Sequence, residues 1–432
     1  MTDAISKAVR KAKDVRRRVK SKLRALRAKL KRKITSATVI AVTGSSGKTT
    51  TTALLTHILS VDGPVLSQIA GNGYIQAVRA LNDLRRDDRY VVIEQGTEGP
   101  GDLPKSAGLI GPDVAIVTLV AIEHYTAFRN IEAVAKEKSA FVAKLPRAGL
   151  AVLNFDDPHV RAMSELTAAR SVTFGTSGGD YRVESISTCR NGVLSFTLKH
   201  GDLMLPLNTQ LLGKYNWLSI AAAATCALEL GIPPAMVKDR IASFTPVRGR
   251  MSLHTLADQT RMILDTAKAP YHSVHLPLQT LDTMAAPKKR VIMGQISDYS
   301  GNATKKYKDT YAAASKVADE VCFIGPWAHK ARPPAADVES GKFRSFSSLK
   351  DLSVHLKETA VEGEVVVVKS ARNLHLERLL LDRIDEVHCW AAECGVKLSC
   401  ADCGLYRRAY HEHNGRNPDR RRIAAPRSVP VE

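Results

Sequence analysis

The chain has no long hydrophobic run. No stretch of its 432 residues approaches the roughly 20 consecutive apolar residues that a membrane-spanning helix requires. The amino-terminal segment carries positive charge, but no apolar segment of the kind found in signal peptides follows it. These two absences predict a soluble protein that stays in the cytoplasm.

Cysteine is also scarce. The chain has seven cysteines, and four of them fall between Cys389 and Cys403. So few and so uneven a set excludes a disulfide framework and is typical of a reducing compartment. The remaining composition is that of an ordinary globular protein, with 44% hydrophobic and 25% charged residues. The length is sufficient for two or three domains with their own cores.

Acidic residues are outnumbered by basic ones, 43 to 63, and the excess is concentrated at the amino terminus. Residues 1–33 carry about +13 of the net charge of +20. Apolar side chains recur there at three- and four-residue steps, at Ile5, Val9, Ala12, Val15, Val19, Leu23, Leu26 and Leu30. This spacing predicts an amphipathic helix with a narrow apolar stripe in a cationic surface, forming a basic arm over residues 1–36.

The sequence leaves three kinds of binding partner possible for the basic arm. A cationic helix could bind a polyanion or an anionic membrane face. Membrane binding would place the protein peripherally at the inner membrane face. The stripe could instead pack against its own domain. Specific nucleic-acid recognition is less favoured, because the arm has no aromatic residues that could stack on bases.

A strand, a glycine-bearing loop and a helix are predicted around residue 44. Val39 to Val42 is an apolar, β-branched run, and the apolar spacing after Lys48 is helical. Glycines let a loop turn its N–H groups toward phosphate oxygens, and the helix start adds partial positive charge. We predict that Lys48 reaches the β/γ-phosphates and that Thr49 or Thr50 holds Mg²⁺. The residues of this loop are Gly44, Ser45, Ser46, Gly47, Lys48, Thr49 and Thr50.

Strands and helices alternate through the rest of the chain. Predicted strands follow at 65–69, 90–94, 113–120 and 151–154, and predicted helices at 74–84, 133–145 and 221–230. Residues 181–207 predict a β-hairpin around an Asn191-Gly192 turn. Further strands are predicted at 261–264, 290–293, 320–324 and 364–369. The pattern predicts an α/β protein, with a central P-loop ATPase domain built on a mostly parallel sheet and a smaller, Rossmann-like carboxyl-terminal domain.

The loop reads T-G-x-x-G-K-T-T, which is shorter than the usual P-loop pattern, whose first glycine would fall at Val42. This variant resembles the phosphate loop of the Mur ligase superfamily. The chain looks most like the member that adds D-alanyl-D-alanine. In that family a glutamate at a strand end binds magnesium, which corresponds to Glu94 in V-V-I-E-Q-G. A loop histidine, corresponding to His124, is a further metal-side ligand.

The resemblance also implies a modified lysine. The family carbamylates a lysine with carbon dioxide, and the matching position is Lys138 in A-V-A-K-E-K-S-A-F, with Lys136 as the alternative if the register differs by two. A carbamate is an anion that can hold Mg²⁺, whose preferred ligands are hard oxygens. The implied magnesium ligands are Thr49, Glu94, His124 and Lys138.

Other family motifs lie further along the chain. N-F-D-D from Asn154 resembles N-x-D-D, and K-S-A-R from Lys369 resembles K-G-S-R. Tyr215 stands in G-K-Y-N where the family prefers histidine, and Lys268 in D-T-A-K-A-P replaces the usual histidine or asparagine. The nucleotide contacts implied by the resemblance are Asn216, Arg250, Asp265 and Lys268.

Two departures from the family are evident. Only the basic arm precedes the phosphate loop, so we expect no UDP-binding module, as in folylpolyglutamate and poly-γ-glutamate synthetases. The family's G-N-x-N-N loop appears as G-N-G-Y-I at residues 71–75, which predicts different substrate contacts. The expected divisions are the basic arm over 1–36, a central domain over 37–247, a second domain over 248–388 and a tail over 389–432.

The tail contains Cys389, Cys394, Cys400 and Cys403. The last two have the spacing of tetrahedral zinc sites, but five residues between the pairs are few for a zinc ribbon, so packed or reactive thiols remain an alternative. Beyond Gly415 the sequence is rich in arginine and proline and predicts disorder.

The functional expectation is an ATP-dependent ligase that joins a carboxylate to an amine, an amino acid or peptide, through an acyl phosphate, in cell-wall or polymer biosynthesis. The alternative is a nucleic-acid-associated P-loop ATPase anchored by the basic arm. That alternative leaves Glu94, His124 and Lys138 without a role.

Overall fold

The computed structural model describes residues 2–122 and 127–413, with side chains described from residue 14 onward. His124 lies outside these ranges, as does the segment beyond Gly415 for which the sequence predicts disorder. The helices are α1 Thr2–Ile34, α2 Lys48–Leu59, α3 Tyr74–Asp83, α4 Asp102–Ile110, α5 Ile131–Lys138, α6 Pro158–Arg161, α7 Trp217–Glu229, α8 Pro234–Ser243, α9 His275–Thr283, α10 Ala303–Ala314, α11 Ala335–Glu339, α12 Leu349–Glu358, α13 Arg378–Ile384 and α14 Cys400–Cys403.

The strands form two sheets. The first contains β1 Thr38–Thr43, β2 Val65–Gln68, β3 Tyr90–Glu94, β4 Val114–Val117, β5 Leu150–Asn154, β6 Arg170–Gly175, β7 Tyr181–Thr188, β8 Val193–His200 and β9 Leu203–Leu212. The second contains β10 Ser252–Thr255, β11 Arg261–Asp265, β12 Lys289–Met293, β13 Glu320–Ile324, β14 Phe343–Phe346 and β15 Val365–Lys369.

The first sheet has the order β2-β3-β1-β4-β5-β6-β7-β8-β9. Its pairs are parallel from β2 to β7, whereas β7, β8 and β9 are antiparallel. Alternate residues of β1 enter two separate cores, Ile40 and Val42 on one face, Val39 and Ala41 on the other. Burial on both faces explains why the strand is a continuous apolar run.

The second sheet has the order β10-β11-β15-β12-β13-β14, with only the β10 to β11 pair antiparallel among its described strands. The predicted fold class, two α/β units built on mostly parallel sheets, is therefore confirmed. The strands β6, β10 and β14 were not predicted from the sequence. The division into domains stays a prediction, because the two sheets do not by themselves fix its boundaries.

Two local predictions need correction. The hairpin predicted over residues 181–207 is a three-stranded meander, because Gly201, with φ of 54°, makes a second turn before β9. The helix predicted over residues 133–145 spans Ile131–Lys138 and is followed by turns. Asn130 begins it by accepting a hydrogen bond from the Ala133 N–H.

The basic arm forms the single helix α1, whose last turns contact α3 and α4. Lys31 Nζ donates to the carbonyls of Asn82 and Leu84 at 2.7 and 2.6 Å, and Arg32 pairs with Asp113 at 2.8 Å. Ala28 is fully buried beneath these contacts. The helix is thus fixed to the domain at its carboxyl-terminal end.

The apolar stripe of α1 faces away from that contact. Val15, Val19, Leu23, Leu26, Leu30 and Ile34 are each more than half exposed. The described side chains of the stripe therefore do not pack against the protein's own domain, which excludes that alternative for this part of the helix. Within the described ranges, no helix combines the length and the apolar composition that a bilayer crossing demands.

Candidate active site

The phosphate loop connects β1 to α2 at the carboxyl edge of the first sheet. Gly44 has φ of 146°, and a Cβ atom there would lie 1.9 Å from Thr118 Oγ1. Gly47 has φ of 80°, in the left-handed region. Both positions therefore require glycine, one for close approach and both for backbone conformation. The resulting turn directs the chain into the amino terminus of α2, where N–H groups and the helix dipole favour an anion.

The loop is held by the chain that follows β4. The Ser45 N–H donates to the Leu119 carbonyl at 2.6 Å, and Thr118 Oγ1 donates to the Ser46 carbonyl at 2.6 Å. Lys48 Nζ donates to the Gly44 carbonyl, and the side chain is buried. The ammonium group thus already lies over the loop.

Glu94, the last residue of β3, lies beside the loop and is 2% exposed. Its Oε1 accepts from Thr49 Oγ1 at 3.0 Å and from Asn72 Nδ2 at 3.4 Å. Its Oε2 accepts from the Ala70 N–H at 2.8 Å. The G-N-G-Y-I loop, whose sequence differs from the family's pattern, therefore contacts Glu94 through Asn72.

The opposite wall of the cleft comes from the second sheet. Asp265 ends β11, and its carboxylate pairs with Lys369 Nζ, at the end of β15, at 2.5 Å. Lys369 also donates to the Lys268 carbonyl at 3.0 Å. From the segment between the sheets, Arg250 reaches Thr49 Oγ1 at 3.5 Å. Both walls thus present cations and a carboxylate to one space.

Tyr215 lies between the two walls. Burial raises the pKa of the Tyr215 phenol well above its usual range, and the nearby Asp265 carboxylate adds to this shift. The adjacent Asn216 lines the cleft, but its amide donates to the Leu212 carbonyl at 2.6 Å. The phenol therefore stays neutral near pH 7, whereas a histidine side chain titrates in that range.

Most of the predicted nucleotide residues are brought together. Among the described residues the cleft is lined by Ser45, Ser46, Gly47, Lys48, Thr49, Thr50, Glu94, Asn216, Arg250, Asp265 and Lys268. Gly44 lies behind them, as the acceptor for Lys48. The lining residues that were not predicted as ligands include Asn72, Ser219 and Lys369. Ser219, which donates to the Gly47 carbonyl at 3.3 Å, has no motif that could have identified it.

Lys138 does not line the described part of the cleft. It ends α5 and is fully buried, whereas Lys136 is exposed. Its neighbour Glu137 accepts from the N–H groups of Gly101 and Leu103 at 2.9 and 2.7 Å. These bonds attach α5 to the segment that follows Glu94.

The N-F-D-D motif supports the loop that leads to residues 123–126. Asn154 Nδ2 donates to the Thr118 carbonyl at 2.9 Å, and Asp157 Oδ2 accepts from the Val120 N–H at 2.7 Å. Asp157 also begins α6 by accepting from the His159 N–H at 2.9 Å. The motif therefore acts through backbone contacts in this structure.

The four tail cysteines gather away from the cleft, around the residues that follow β15. Cys389 and Cys400 are buried, and Cys394 and Cys403 are half-buried. Cys394 Sγ lies 3.3 Å from His375 Nε2. One ligand atom each of His375, Glu377 and Cys400 lie within 4.8 Å of one another.

The chain is similar in sequence to known Mur ligases. A family model for the Mur ligase middle domain matches residues 42–227. The UDP-N-acetylmuramoyl-tripeptide–D-alanyl-D-alanine ligase of Escherichia coli is 27% identical over 356 residues, which are 80% of this chain and 76% of that ligase. The UDP-N-acetylmuramate–L-alanine ligase of Anaeromyxobacter dehalogenans is 28% identical over 254 residues, 59% of this chain and 53% of that ligase.

Solved structures share the fold. The MurF ligase of Thermotoga maritima in complex with ADP superimposes with a TM-score of 0.73 at 23% identity, covering 83% of this chain and 82% of the ligase. A MurF structure from Acinetobacter baumannii gives a TM-score of 0.76 at 24% identity, covering 85% and 80%.

Proposed function

We propose that the chain is a member of the Mur ligase superfamily, an ATP-dependent ligase that forms C–N bonds through an acyl phosphate in cell-wall or related polymer biosynthesis. The family-model match and the similarity to two such ligases support this proposal. The observation that carries the proposal is the single cleft in which Lys48, Thr49 and Glu94 face Asp265. The substrates are a carboxylate and an amine. The alternative of a nucleic-acid-associated ATPase is not retained, because the relatives are ligases.

The proposed reaction has two steps. A carboxylate oxygen attacks the γ-phosphorus of ATP and ADP leaves; an amine nitrogen then attacks the acyl carbon, phosphate leaves and the nitrogen loses a proton. Lys48 and the loop N–H groups neutralise the phosphate charge, and Arg250 supplies a second cation beside Thr49. Catalysis by these residues is positioning and charge neutralisation.

Magnesium fits the donors beside the loop. The Thr49 hydroxyl and the Glu94 carboxylate, 3.0 Å apart, are the hard oxygen ligands that Mg²⁺ prefers. When bound, Mg²⁺ supplies further charge neutralisation at the phosphates. His124 is the third proposed ligand and lies outside the described residues.

Carbamylated Lys138 is the fourth proposed magnesium ligand. The ammonium group would first lose one proton to give the amine, and the amine would then add to carbon dioxide with loss of a second proton, so that a buried cation becomes a buried anion. Full burial of Lys138 and exposure of Lys136 favour Lys138 over the alternative, because a buried charge needs an ionic or metal partner.

We also propose that the tail holds Zn²⁺. Four sulfur donors within fifteen residues, two of them buried, match the ligands that tetrahedral zinc prefers. Metal analysis of the purified chain should find about one zinc per molecule, because a closed tetrahedral site has four ligands.

The exposed stripe of α1 supports a peripheral role at an anionic membrane, on the cytoplasmic face. The stripe offers apolar side chains to the lipid, and the surrounding lysines and arginines complement anionic headgroups. A second copy of this helix is a poor partner, because two arms of about +13 would repel each other.

The ligase reaction is tested by trapping its intermediate. With ATP, Mg²⁺ and a panel of amino acids and cell-wall precursors, hydroxylamine should convert an acyl phosphate to a hydroxamate, measured by mass spectrometry beside ADP release. Hydroxamate should require a carboxylate but no amine substrate, and amide should require both. ADP release that needs neither, or that needs DNA or RNA instead, would contradict the proposal.

A further inference from the structure

A histidine, a glutamate and a cysteine come together where the tail meets the segment that follows β15. One ligand atom each of His375, Glu377 and Cys400 lies within 4.8 Å of the other two. His375 and Glu377 belong to the segment after β15, and Cys400 begins α14 in the tail. The side chains of His375 and Glu377 are 2% and 12% exposed, and Cys400 is buried. Nitrogen, oxygen and sulfur ligands therefore share one buried space.

The contacts of His375 give its two ring nitrogens different roles. Nε2 lies 3.1 Å from the Val396 carbonyl oxygen, which can only accept, so we assign the proton of a neutral ring to Nε2. Nδ1 lies 3.1 Å from Glu377 Oε1, which is also an acceptor when the carboxylate is ionised. The Nδ1 lone pair then faces a carboxylate oxygen. Two acceptors at this distance need a cation between them, either a proton or a metal ion.

Glu377 and Cys400 are also fixed with respect to each other. The Cys400 N–H donates to Glu377 Oε1 at 2.9 Å. Carboxylates that bind metal ions are held by such hydrogen bonds, and histidines that bind them donate their other ring N–H to a carbonyl or carboxylate. The bonds of Glu377 to Cys400 and of His375 to Val396 match both parts of this pattern.

A second group of the same three residue types shows what disfavours a metal ion. One ligand atom each of Glu320, Cys322 and His355 also lies within 4.8 Å of the others. There the Glu320 carboxylate is 3.1 Å from Lys288 Nζ and 3.5 Å from Arg290 Nε. These two cations already neutralise the carboxylate and would repel a metal ion. That group is therefore an ion-pair network.

At Glu377 the described cations point elsewhere. Among the described residues, Glu377 forms an ion pair with His375 alone. The buried guanidinium of Arg378 donates instead to main-chain carbonyls, among them those of Cys389 and Ala391 at 2.6 and 2.7 Å. The same guanidinium lies 3.9 Å from Cys389 Sγ. A metal ion is thus favoured at the Glu377 carboxylate and disfavoured at the Cys389 sulfur.

We propose that His375 Nδ1, the Glu377 carboxylate and Cys400 Sγ bind one Zn²⁺ ion. Zinc takes nitrogen, oxygen and sulfur ligands, and a water molecule completes its tetrahedron where the protein supplies three. Zinc displaces the proton of the Cys400 thiol and any proton shared by His375 and Glu377. The inference rests on the tail zinc of the proposed function and changes its ligands, because only one of the four tail cysteines remains in the set. The ion joins the tail to the segment that follows β15.

Variants of the full chain identify the ligands. His375→Asn, Glu377→Gln and Cys400→Ser should each weaken zinc affinity at least about 100-fold, because each removes one of the three protein ligands. Residue 375 has φ of 51°, in the left-handed region, which asparagine tolerates, so His375→Asn removes the imidazole without adding backbone strain. Zinc is measured by elemental mass spectrometry after dialysis, and the melting temperature confirms that each variant is folded.

Cys403→Ser distinguishes this ligand set from the four cysteines. It should keep zinc, as should the matched control Cys189→Ser, at an exposed cysteine beside the turn between β7 and β8. Loss of zinc in Cys403→Ser with retention in His375→Asn would overturn the inference and support the four-cysteine set. A wild-type chain that binds no zinc would overturn it as well. None of these measurements requires turnover, so hydroxamate formation tests the ligase reaction separately.

Cobalt provides a measurement on the wild-type chain that needs no variant. With Co²⁺ in place of zinc, the chain should show a sulfur-to-cobalt charge-transfer band with the intensity of one thiolate, since Cys400 is the only sulfur ligand of the proposed set. A band with the intensity of four thiolates, or no band, would refute that set.

Discussion

The two walls of the ATP cleft differ in what holds their charged side chains. On the first wall, Lys48 contacts a main-chain carbonyl and Glu94 accepts a main-chain N–H, so backbone geometry sets both positions. On the second wall, Asp265 and Lys369 hold each other. The first wall is ready for phosphate and metal. On the second wall, the nucleotide contact proposed for Asp265 would form at a carboxylate that already has Lys369 as a partner.

The largest effect is expected on the first wall. Lys48→Ala should lower acyl phosphate formation by about 10³-fold, because the cation that lies over the phosphate loop is lost. The hydroxamate assay measures the loss directly. Since the lost group is a positioned cation, acetate or other small acids should not restore activity, and substantial retained turnover would contradict the role of the loop.

Lys138 tests whether the first wall includes a modified residue. Lys138→Ala should reduce turnover about 100-fold through weaker metal binding, with the melting temperature monitored to exclude unfolding. A short carboxylate such as acetate should restore part of the activity by replacing the carbamate.

Lys136→Ala is the matched control for this variant. It lies two residues away on the same helix and is exposed, so its turnover should stay near wild type. If Lys136→Ala loses activity and Lys138→Ala does not, the register of the carbamylated lysine is wrong by two positions.

The second wall should respond mainly in ATP affinity. Asp265→Asn is expected to raise the KM for ATP about tenfold, with a smaller change in kcat, because a hydrogen bond to a charged group is lost. It should also lower stability by on the order of 3 kcal/mol, since the Lys369 side chain is 3% exposed and loses its counter-ion.

Asp258→Asn is the control for the second wall. It breaks a different ion pair, between the turn that joins β10 to β11 and Arg383 in α13, outside the described lining of the cleft. Its KM for ATP should be unchanged. A tenfold increase in both variants would mean that loss of stability, and not loss of the proposed nucleotide contact, raises the KM.

The smallest effect on turnover is expected from the basic arm, far from both walls. Deleting residues 1–22 removes nine lysines and arginines and keeps the contacts of Ala28, Lys31 and Arg32. Turnover on a soluble substrate should stay within about twofold of wild type. Sedimentation with anionic liposomes at low salt should be lost, because each basic side chain near the lipid contributes about 1 kcal/mol.

Salt provides the control for the liposome measurement. Binding of the full-length chain should fall steeply as salt rises, since the Debye length at physiological ionic strength is only about 8 Å. Binding that is equal in the two forms, or that salt does not affect, would rule out the membrane role of the basic arm.

The same contrast explains what could be predicted from the sequence. The strand, loop and helix around Gly44 follow from backbone requirements that particular residue types signal, so the sequence could predict the loop itself, which the structure places beside Glu94. The pairing of Asp265 with Lys369 joins residues 104 apart, and no local pattern encodes it. The edge strand β14 and the turn at Gly201 were missed because their signals are short and their pairing is set by neighbouring strands. The cysteines and the K-S-A-R motif that ends at Arg372 were visible, but the contacts of Arg378 with the carbonyls of Cys389 and Ala391 were not.

The contacts at the end of α1 also have a consequence for native-state hydrogen exchange. Lys31 satisfies carbonyls at the end of α3, and Arg32 donates to the carbonyls of Ile110 and Gly111 at the end of α4. The last turn of α1 thus supplies hydrogen-bond donors to the carboxyl-terminal ends of both α3 and α4. Local unfolding of that turn would therefore expose the backbone of α1, α3 and α4 to solvent together. Their amides should exchange as one cooperative unit, with a shared dependence on denaturant, separately from the strands of the first sheet.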